Sequence, residues 1–342
     1  MSPMLNTRIA LDVMGGDHSP QAPLRGAFKA CDPLGSSRIA PERILLVGDE
    51  ETIRRGLEEF GGDPGFGIQH ASQVVGMAEK PGQALRSKRD SSISVCVGAV
   101  KTKAAGACVS MGNTGAFVGA ATLGLGTLEG VRRPGIAVTL ELTGHPVTLL
   151  DMGANIAPKP QHLFQYGVMG SAYMRDCLGK SAPRVGLLNI GTEASKGTDL
   201  LREAYALLAD SDLDFIGNIE GGDIFKAKAE VVVTDGFTGN VVLKLMEDFA
   251  SFVMGLVLAE LKTHKVQWGP ETLAKVQKNI DYSEYGGALL LGVAGIVVIG
   301  HGRSDENAVA NAISLAARAL DAGVNEDIVK GLRGSANKEA AT

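Results

Sequence analysis

Short apolar runs, each closed by a polar, glycine-rich turn and followed by apolar positions at helical spacing, recur along the chain. Ile9-Ala10-Leu11-Asp12-Val13 reads as a buried strand, broken by Met14-Gly15-Gly16-Asp17-His18 before a helix with Leu24, Ala27 and Phe28 on one face. Arg43 to Gly48 is a second strand, and Glu51 to Phe60 has helical spacing with Gly61-Gly62 as its stop. Cys108-Val109-Ser110 runs into Met111-Gly112-Asn113-Thr114-Gly115 and a helix of small residues from Ala116 to Leu125. Val147 to Leu150 ends in Asp151-Met152-Gly153-Ala154-Asn155, and Val185 to Ile190 ends in Gly191-Thr192-Glu193-Ala194-Ser195-Lys196-Gly197. The strand near Phe215-Ile216 leads into Gly217 to Asp223, and apolar segments after Ala288 lead to His301-Gly302-Arg303-Ser304-Asp305 and a closing helix.

The fullest of these joints runs from Val231 to Leu261. Val231-Val232-Val233 meets Thr234-Asp235-Gly236-Phe237-Thr238-Gly239-Asn240 and then a long helix. Two glycines permit a tight turn and close approach of a ligand, Thr238 is the expected cap, and the free N–H groups of the helix start attract an anion. Val242, Leu245, Phe249, Phe252, Leu256 and Val257 mark one face, but beyond Phe252 the helix is apolar almost all round. Such a helix must be covered, by a partner helix, an identical subunit or a membrane surface. A second helix, Glu271 to Ile280, follows a tip around Trp268.

Strands alternating with helices predict a mostly parallel sheet with helices on both faces, whose ligands bind at the carboxyl ends of the strands. All the polar turns above are expected at that edge, converging on one cleft. One α/β domain spanning residues 1–335 with a cleft between two subdomains, a helical hairpin over 240–280 and a frayed tail at 336–342 complete the expected organisation.

Composition changes this picture little. The 342 residues are 45% apolar, enough for a substantial core, and 45 glycines are an excess that sits in the strand-to-helix turns. A net charge of -5 argues against a general nucleic-acid binder. Cys31, Cys96, Cys108 and Cys177 form no Cys-x-x-Cys pair and read as reduced core residues of a cytosolic protein. No apolar h-region opens the chain, and the longest apolar run, Ala288 to Gly300, is too short to span a bilayer. Arg86, Lys88 and Arg89 before Ser91-Ser92 suit either an anion site or a solvated basic face.

Several familiar motifs are absent. Gly124 and Gly126 are followed by Glu129 where a dinucleotide fingerprint needs its third glycine, and Met174 stands where a phosphate-binding loop ending at Gly179-Lys180-Ser181 needs its first. No His-Glu-x-x-His, calcium loop or Gly-x-Ser-x-Gly elbow occurs, so neither a metal nor a serine triad is called for.

In order, Asp12-Val13-Met14-Gly15-Gly16-Asp17-His18, Met111-Gly112-Asn113-Thr114-Gly115-Ala116, Asn189-Ile190-Gly191-Thr192-Glu193, Asp235-Gly236-Phe237-Thr238-Gly239-Asn240 and Asp281-Tyr282-Ser283-Glu284-Tyr285-Gly286-Gly287 give a chain that resembles the phosphate acyltransferases of bacterial phospholipid synthesis (PlsX type) from about Ile9 to Leu320. The resemblance implies a three-layer α/β/α fold like isopropylmalate dehydrogenase and phosphotransacetylase, with a protruding helical hairpin. It implies transfer of a fatty acyl group from acyl carrier protein to inorganic phosphate, giving acyl phosphate without a cofactor. It further implies a homodimer in the cytoplasm, peripherally associated with the inner face of the cell membrane.

Phosphate near neutral pH is already anionic, so its attack on a thioester needs positioning and charge stabilisation more than a general base. The resemblance gives Lys196 and Asn240 the catalytic roles, Lys196 as an electrostatic clamp or, alternatively, as a transiently acylated nucleophile. Asp12, Gly15, Gly16, Asp17, Gly112, Asn113, Thr114, Gly115, Asp151, Asn155, Gly191, Thr192, Asp235, Thr238 and Gly239 are the binding candidates on the turns. Arg132, Arg133, Lys262 and Lys265 are candidates for docking an acidic carrier. Two other classes stay open: a nicotinamide-dependent hydroxy-acid dehydrogenase on the same fold, and a non-catalytic scaffold recruited to membranes by the helix pair from Val241 to Ile280.

Overall fold

The computed structural model describes residues 7–32, 38–142, 144–264, 269 and 287–339, the side chains of Leu142 and residues 335–339 excepted. The apolar runs form an eleven-stranded sheet in the order β3-β2-β1-β4-β11-β10-β5-β6-β9-β7-β8. In chain order the strands are β1 (Ile9–Asp12), β2 (Ile44–Gly48), β3 (Gly67–His70), β4 (Ala107–Ser110), β5 (Gly135–Leu142), β6 (His145–Leu150), β7 (Arg184–Leu188), β8 (Asp214–Ile219), β9 (Val231–Val233), β10 (Ala288–Leu291) and β11 (Ile296–Ile299). The helices are α1 (Gln21–Ala30), α2 (Glu50–Glu59), α3 (Pro81–Ser87), α4 (Ser92–Lys101), α5 (Thr114–Leu125), α6 (Pro160–Leu178), α7 (Asp199–Ala209), α8 (Gly221–Phe225), α9 (Gly236–Thr263), α10 (Glu306–Ala322) and α11 (Val324–Glu339).

Successive strand residues point to opposite faces, and both faces are covered. Ile9 and Leu11 pack with Leu24, Tyr166 and Val309 on the side of α1, α6 and α10. Ala10 and Cys108 pack with Ile93, Val97 and Phe117 on the side of α4 and α5. Burial on both faces is why the strands read as continuous apolar runs rather than alternating ones. The fold is thus the expected three-layer α/β/α arrangement around a mostly parallel sheet. The cysteines are unpaired, with Cys96 and Cys108 buried.

Three ladders are antiparallel, β11 with β10, β10 with β5, and β5 with β6. The parallel group β3, β2, β1, β4 and β11 therefore runs opposite to the group β6, β9, β7 and β8. This corrects the expectation that all polar turns share one edge. The turns after β1 and β4 lie at one end of the ladders, those after β6, β9 and β7 at the other.

The chain is helical to Glu339, into the segment expected to fray. The second helix of the hairpin, Glu271 to Ile280, the tip at Trp268 and the Asp281 to Gly286 motif lie outside the described residues. The first helix, α9, buries only Gly236, Gly239 and Leu243 of its length. Val241, Leu245, Phe249, Phe252, Val253, Leu256 and Leu258 stay exposed.

Candidate active site

The turn after β6 is organised by Asp151, which is buried. Its Oδ1 accepts from the N–H groups of Ile136 at 3.0 Å, Gly153 at 3.1 Å and Ala154 at 2.9 Å. Its Oδ2 accepts from the Asn155 N–H at 2.7 Å and from Asn155 Nδ2 at 3.2 Å. Burial pushes the carboxyl toward the protonated form, while these donors oppose that shift. Asn155 Nδ2 also donates to the Pro134 carbonyl at 2.6 Å and to the Tyr166 hydroxyl at 2.8 Å, so this residue is a brace rather than a free ligand.

The turn after β9 is laid directly on that brace. The Gly236 N–H donates to the Asn155 carbonyl at 2.9 Å. A Cβ on Gly236 would stand 2.6 Å from the same oxygen, and one on Gly239 would stand 2.0 Å from the Asp151 carbonyl oxygen. Only glycine fits at either place. Asp235, not Thr238, caps α9: its Oδ1 accepts from the Thr238 N–H at 2.9 Å and its Oδ2 from the Thr238 hydroxyl at 2.6 Å. The contact of glycine with the Asp151 turn sets the exposed Asn240 beside Gly153, whose notional Cβ lies 3.5 Å from the Asn240 side chain.

Lys196 stands on the turn after β7, the neighbour of β9. Its stem folds over Gly191, where a Cβ would meet Lys196 Cγ at 3.2 Å, and its ammonium lies 3.9 Å from Glu193. Thr192 beside it is exposed. Two buried amides hold this loop, and neither stood out in the sequence as a site residue. Asn189 accepts from the Ile190 N–H at 2.8 Å and donates to the Lys196 carbonyl at 3.1 Å, while Asn218 donates to the Glu193 carbonyl at 2.8 Å. Their signal was position, since each stands at or next to the last residue of its strand. Asn189→Ala should therefore loosen the loop: limited proteolysis should cut between Gly191 and Gly197 faster than in the parent chain, with a stability loss of about 1–2 kcal/mol in denaturant melts.

The second set of turns is equally knitted. Asp12, buried at the end of β1, accepts from the Ser110 hydroxyl at 2.6 Å and the Met14 N–H at 3.0 Å. Burial raises its proton affinity against those hydrogen bonds. Ser110 in turn accepts from the Gly112 N–H at 3.0 Å, and a Cβ on Gly15 would stand 2.8 Å from that Gly112 nitrogen. Gly16 has φ +97°, and the exposed Asp17 donates its N–H to the Gly302 carbonyl at 2.7 Å. Asn113 caps α5 by accepting from the Ala116 N–H at 3.0 Å, while its Nδ2 donates to the carbonyls of Met77 and Glu79 at 3.0 Å. Thr114 and Gly115 are exposed at the same helix start.

Asp12, Asn113, Asp151, Asn155 and Asp235 thus shape turns, while Lys196, Asn240, Thr114, Thr192 and Asp17 are the polar side chains left facing outward. Basic Lys80 is near the α5 end of this set, and Lys88 is taken by Glu79 at 2.5 Å. Among the described residues no His, Cys, Asp and Glu group is arranged to hold a metal ion.

Glycine-rich turns and one lysine at the ends of neighbouring strands sit on a three-layer α/β/α fold. The architecture matches a phosphotransacetylase from Streptococcus pyogenes with a TM-score of 0.61 at 18% identity, over 94% of this chain and 100% of that one. It also matches 4-hydroxythreonine-4-phosphate dehydrogenase from Klebsiella pneumoniae, TM-score 0.53 at 14% identity, over 91% and 98%. These likenesses concern the fold.

At the level of sequence the relation is nearer. The family model described as fatty acid synthesis protein matches residues 7–327, and the chain belongs to that family. It is 43% identical over 324 residues to the phosphate acyltransferase of Desulforamulus reducens, covering 93% of this chain and 95% of the relative. It is 42% identical over 332 residues to that of Shouchella clausii, covering 95% and 98%.

Proposed function

We propose that this protein is a phosphate acyltransferase that moves a fatty acyl group from the thioester of acyl carrier protein to inorganic phosphate. Acyl transfer to phosphate is the activity in the names of its relatives. The observation that carries the residue-level reading is the placement of Lys196 and Asn240 on the adjacent turns after β7 and β9, outward-facing above a rigid, glycine-packed floor. The dehydrogenase and scaffold readings are not favoured by the family.

Chemistry follows from the charges. A phosphate oxygen attacks the thioester carbonyl carbon, an oxyanion develops on the carbonyl oxygen, and the C–S bond breaks to release the carrier's thiolate, which takes up a proton from solvent. Lys196 holds phosphate by charge, and the Asn240 amide faces the developing negative charge. The turns after β1 and β4, with Gly15, Gly16, Asp17, Gly112, Thr114 and Gly115, form the opposite wall of the cleft. The direct test is incubation with acyl carrier protein thioester and phosphate, followed by detection of acyl phosphate. Release of free fatty acid without acyl phosphate would reject the reading.

The protein further acts as a homodimer through the exposed apolar face of α9, in the cytoplasm and peripherally on the inner face of the cell membrane. That face from Val241 to Leu258 is what supports a covering subunit. No described helix is long and apolar enough to cross a membrane. A Phe249→Glu, Phe252→Glu variant should sediment as a monomer; an unchanged sedimentation coefficient would remove α9 from the interface. Arg132, Arg133 and Lys262 supply positive charge for the carrier, together with Lys265 outside the described residues, and charge reversal there should raise KM for the carrier.

A further inference from the structure

We infer that Ile156, Phe237 and Ile190 seat the first part of the substrate's fatty acyl chain beside the reacting carbonyl. The inference rests on the acyl-transfer reading above and assigns the apolar half of the same site. The three residues stand on the turns after β6, β9 and β7, which are neighbours in the sheet. Their relative exposures are 74%, 63% and 82%, although each is a large apolar residue in an otherwise polar, glycine-rich turn.

Their placement is fixed by the bonds that build the turns. The bond from the Gly236 N–H to the Asn155 carbonyl puts the backbones of Phe237 and Ile156 side by side. Ile190 is held through its N–H on Asn189 Oδ1 and precedes Gly191, over which the Lys196 stem lies. Lys196 and Asn240 therefore each have an exposed apolar side chain on their own turn, within a few residues. None of the three packs into either core cluster, so stability of the fold does not call for them. Exposed apolar groups gathered around polar ones mark a binding surface.

Phosphate gains nothing from isoleucine and phenylalanine. A fatty acyl chain gains roughly fourfold in affinity for each methylene withdrawn from water, and its polar end is the thioester that the same turns must hold. The competing occupant is a second copy of this chain, because the exposed face of α9 begins at Val241, one residue beyond Asn240. The acyl chain is favoured because Ile156 and Ile190 stand on the turns themselves, not on that helix face.

Ile190→Ser and Phe237→Ser, made singly, test the assignment with thioester donors of two and sixteen carbons, because the two-carbon donor has no chain to lay on the seat. The ratio of kcat/KM for the long donor to that for the short one should fall roughly tenfold in each variant, with the parent sedimentation coefficient. Equal losses on both donors would overturn the acyl-chain seat, and so would loss of activity that tracks a change in sedimentation. A parent protein that forms no acyl phosphate from any donor would instead refute the acyl-transfer reading itself.

Discussion

Gly239→Ala should cost about 3 kcal/mol of stability and most of the activity, although alanine is ordinarily the better helix residue. Gly239 lies in the first turn of α9, where its missing side chain lets the helix start rest on the Asp151 carbonyl; an added Cβ would stand 2.0 Å from that oxygen and 3.1 Å from the Met152 sulfur. The Asp151 carbonyl cannot give way. Asp151 is tied by N–H donors from Ile136, Gly153, Ala154 and Asn155, and Asn155 is tied to Pro134 and Tyr166. The strain must lift α9, and with it Asn240, away from Gly153. A melting temperature about 6 °C below the parent's is the expected readout at roughly 2 °C per kcal/mol for a chain of this size. Gly98→Ala is the control, a glycine within α4 with open space around its notional Cβ, and it should leave the melting temperature unchanged or slightly higher. Equal effects at both positions would mean that the contact with Asp151 does not hold the turn.

The same turn shows how far sequence reading reaches. Val231-Val232-Val233 and Asp235 to Asn240 announced a strand, a tight turn and a helix start, and these formed. The cap was misassigned because Asp235 and Thr238 both carry oxygen acceptors three residues apart. Only the geometry, in which both the N–H and the hydroxyl of Thr238 donate to Asp235, separates them. Gly239 was legible as a turn glycine, but its contact with Asp151, distant in the chain, was not.

Two elements escaped the periodicity for an opposite reason. α6 buries residues on nearly every side, from His162 through Met174, so it shows no polar stripe to mark it as a helix. β5 lies between β10 and β6, both antiparallel to it, and a run of apolar residues carries no sign of strand direction. A reversal was nonetheless hinted at by the two-residue joint, 143–144, between β5 and β6, too short for a helical crossover. Missing it placed every polar turn at one edge. Asn189 and Asn218 carry in the sequence only the signal of standing at strand ends, because their role is contact with a loop that has no pattern of its own.

Lys196→Met should lower kcat by about a hundredfold to a thousandfold, the usual loss when one charge-stabilising group leaves a transition state. Folding should be untouched, since the side chain is half-exposed and its partner Glu193, at 3.9 Å, belongs to a surface pair worth little. The informative comparison is Lys196→Arg. If Lys196 acts by charge, the guanidinium keeps the charge but not the compact geometry, and activity should return to within about tenfold of the parent, with the deficit in KM for phosphate. If the amine is instead acylated by the thioester and then releases its acyl group to phosphate, arginine should be as inactive as methionine. Chemistry favours the first outcome, because an amide is far less reactive than the thioester that forms it, and its transfer to phosphate would be uphill. Mass spectrometry after mixing with the thioester alone gives the deciding measurement: an acyl group on Lys196 that disappears when phosphate is added, at the rate of turnover, would establish the covalent route over the clamp.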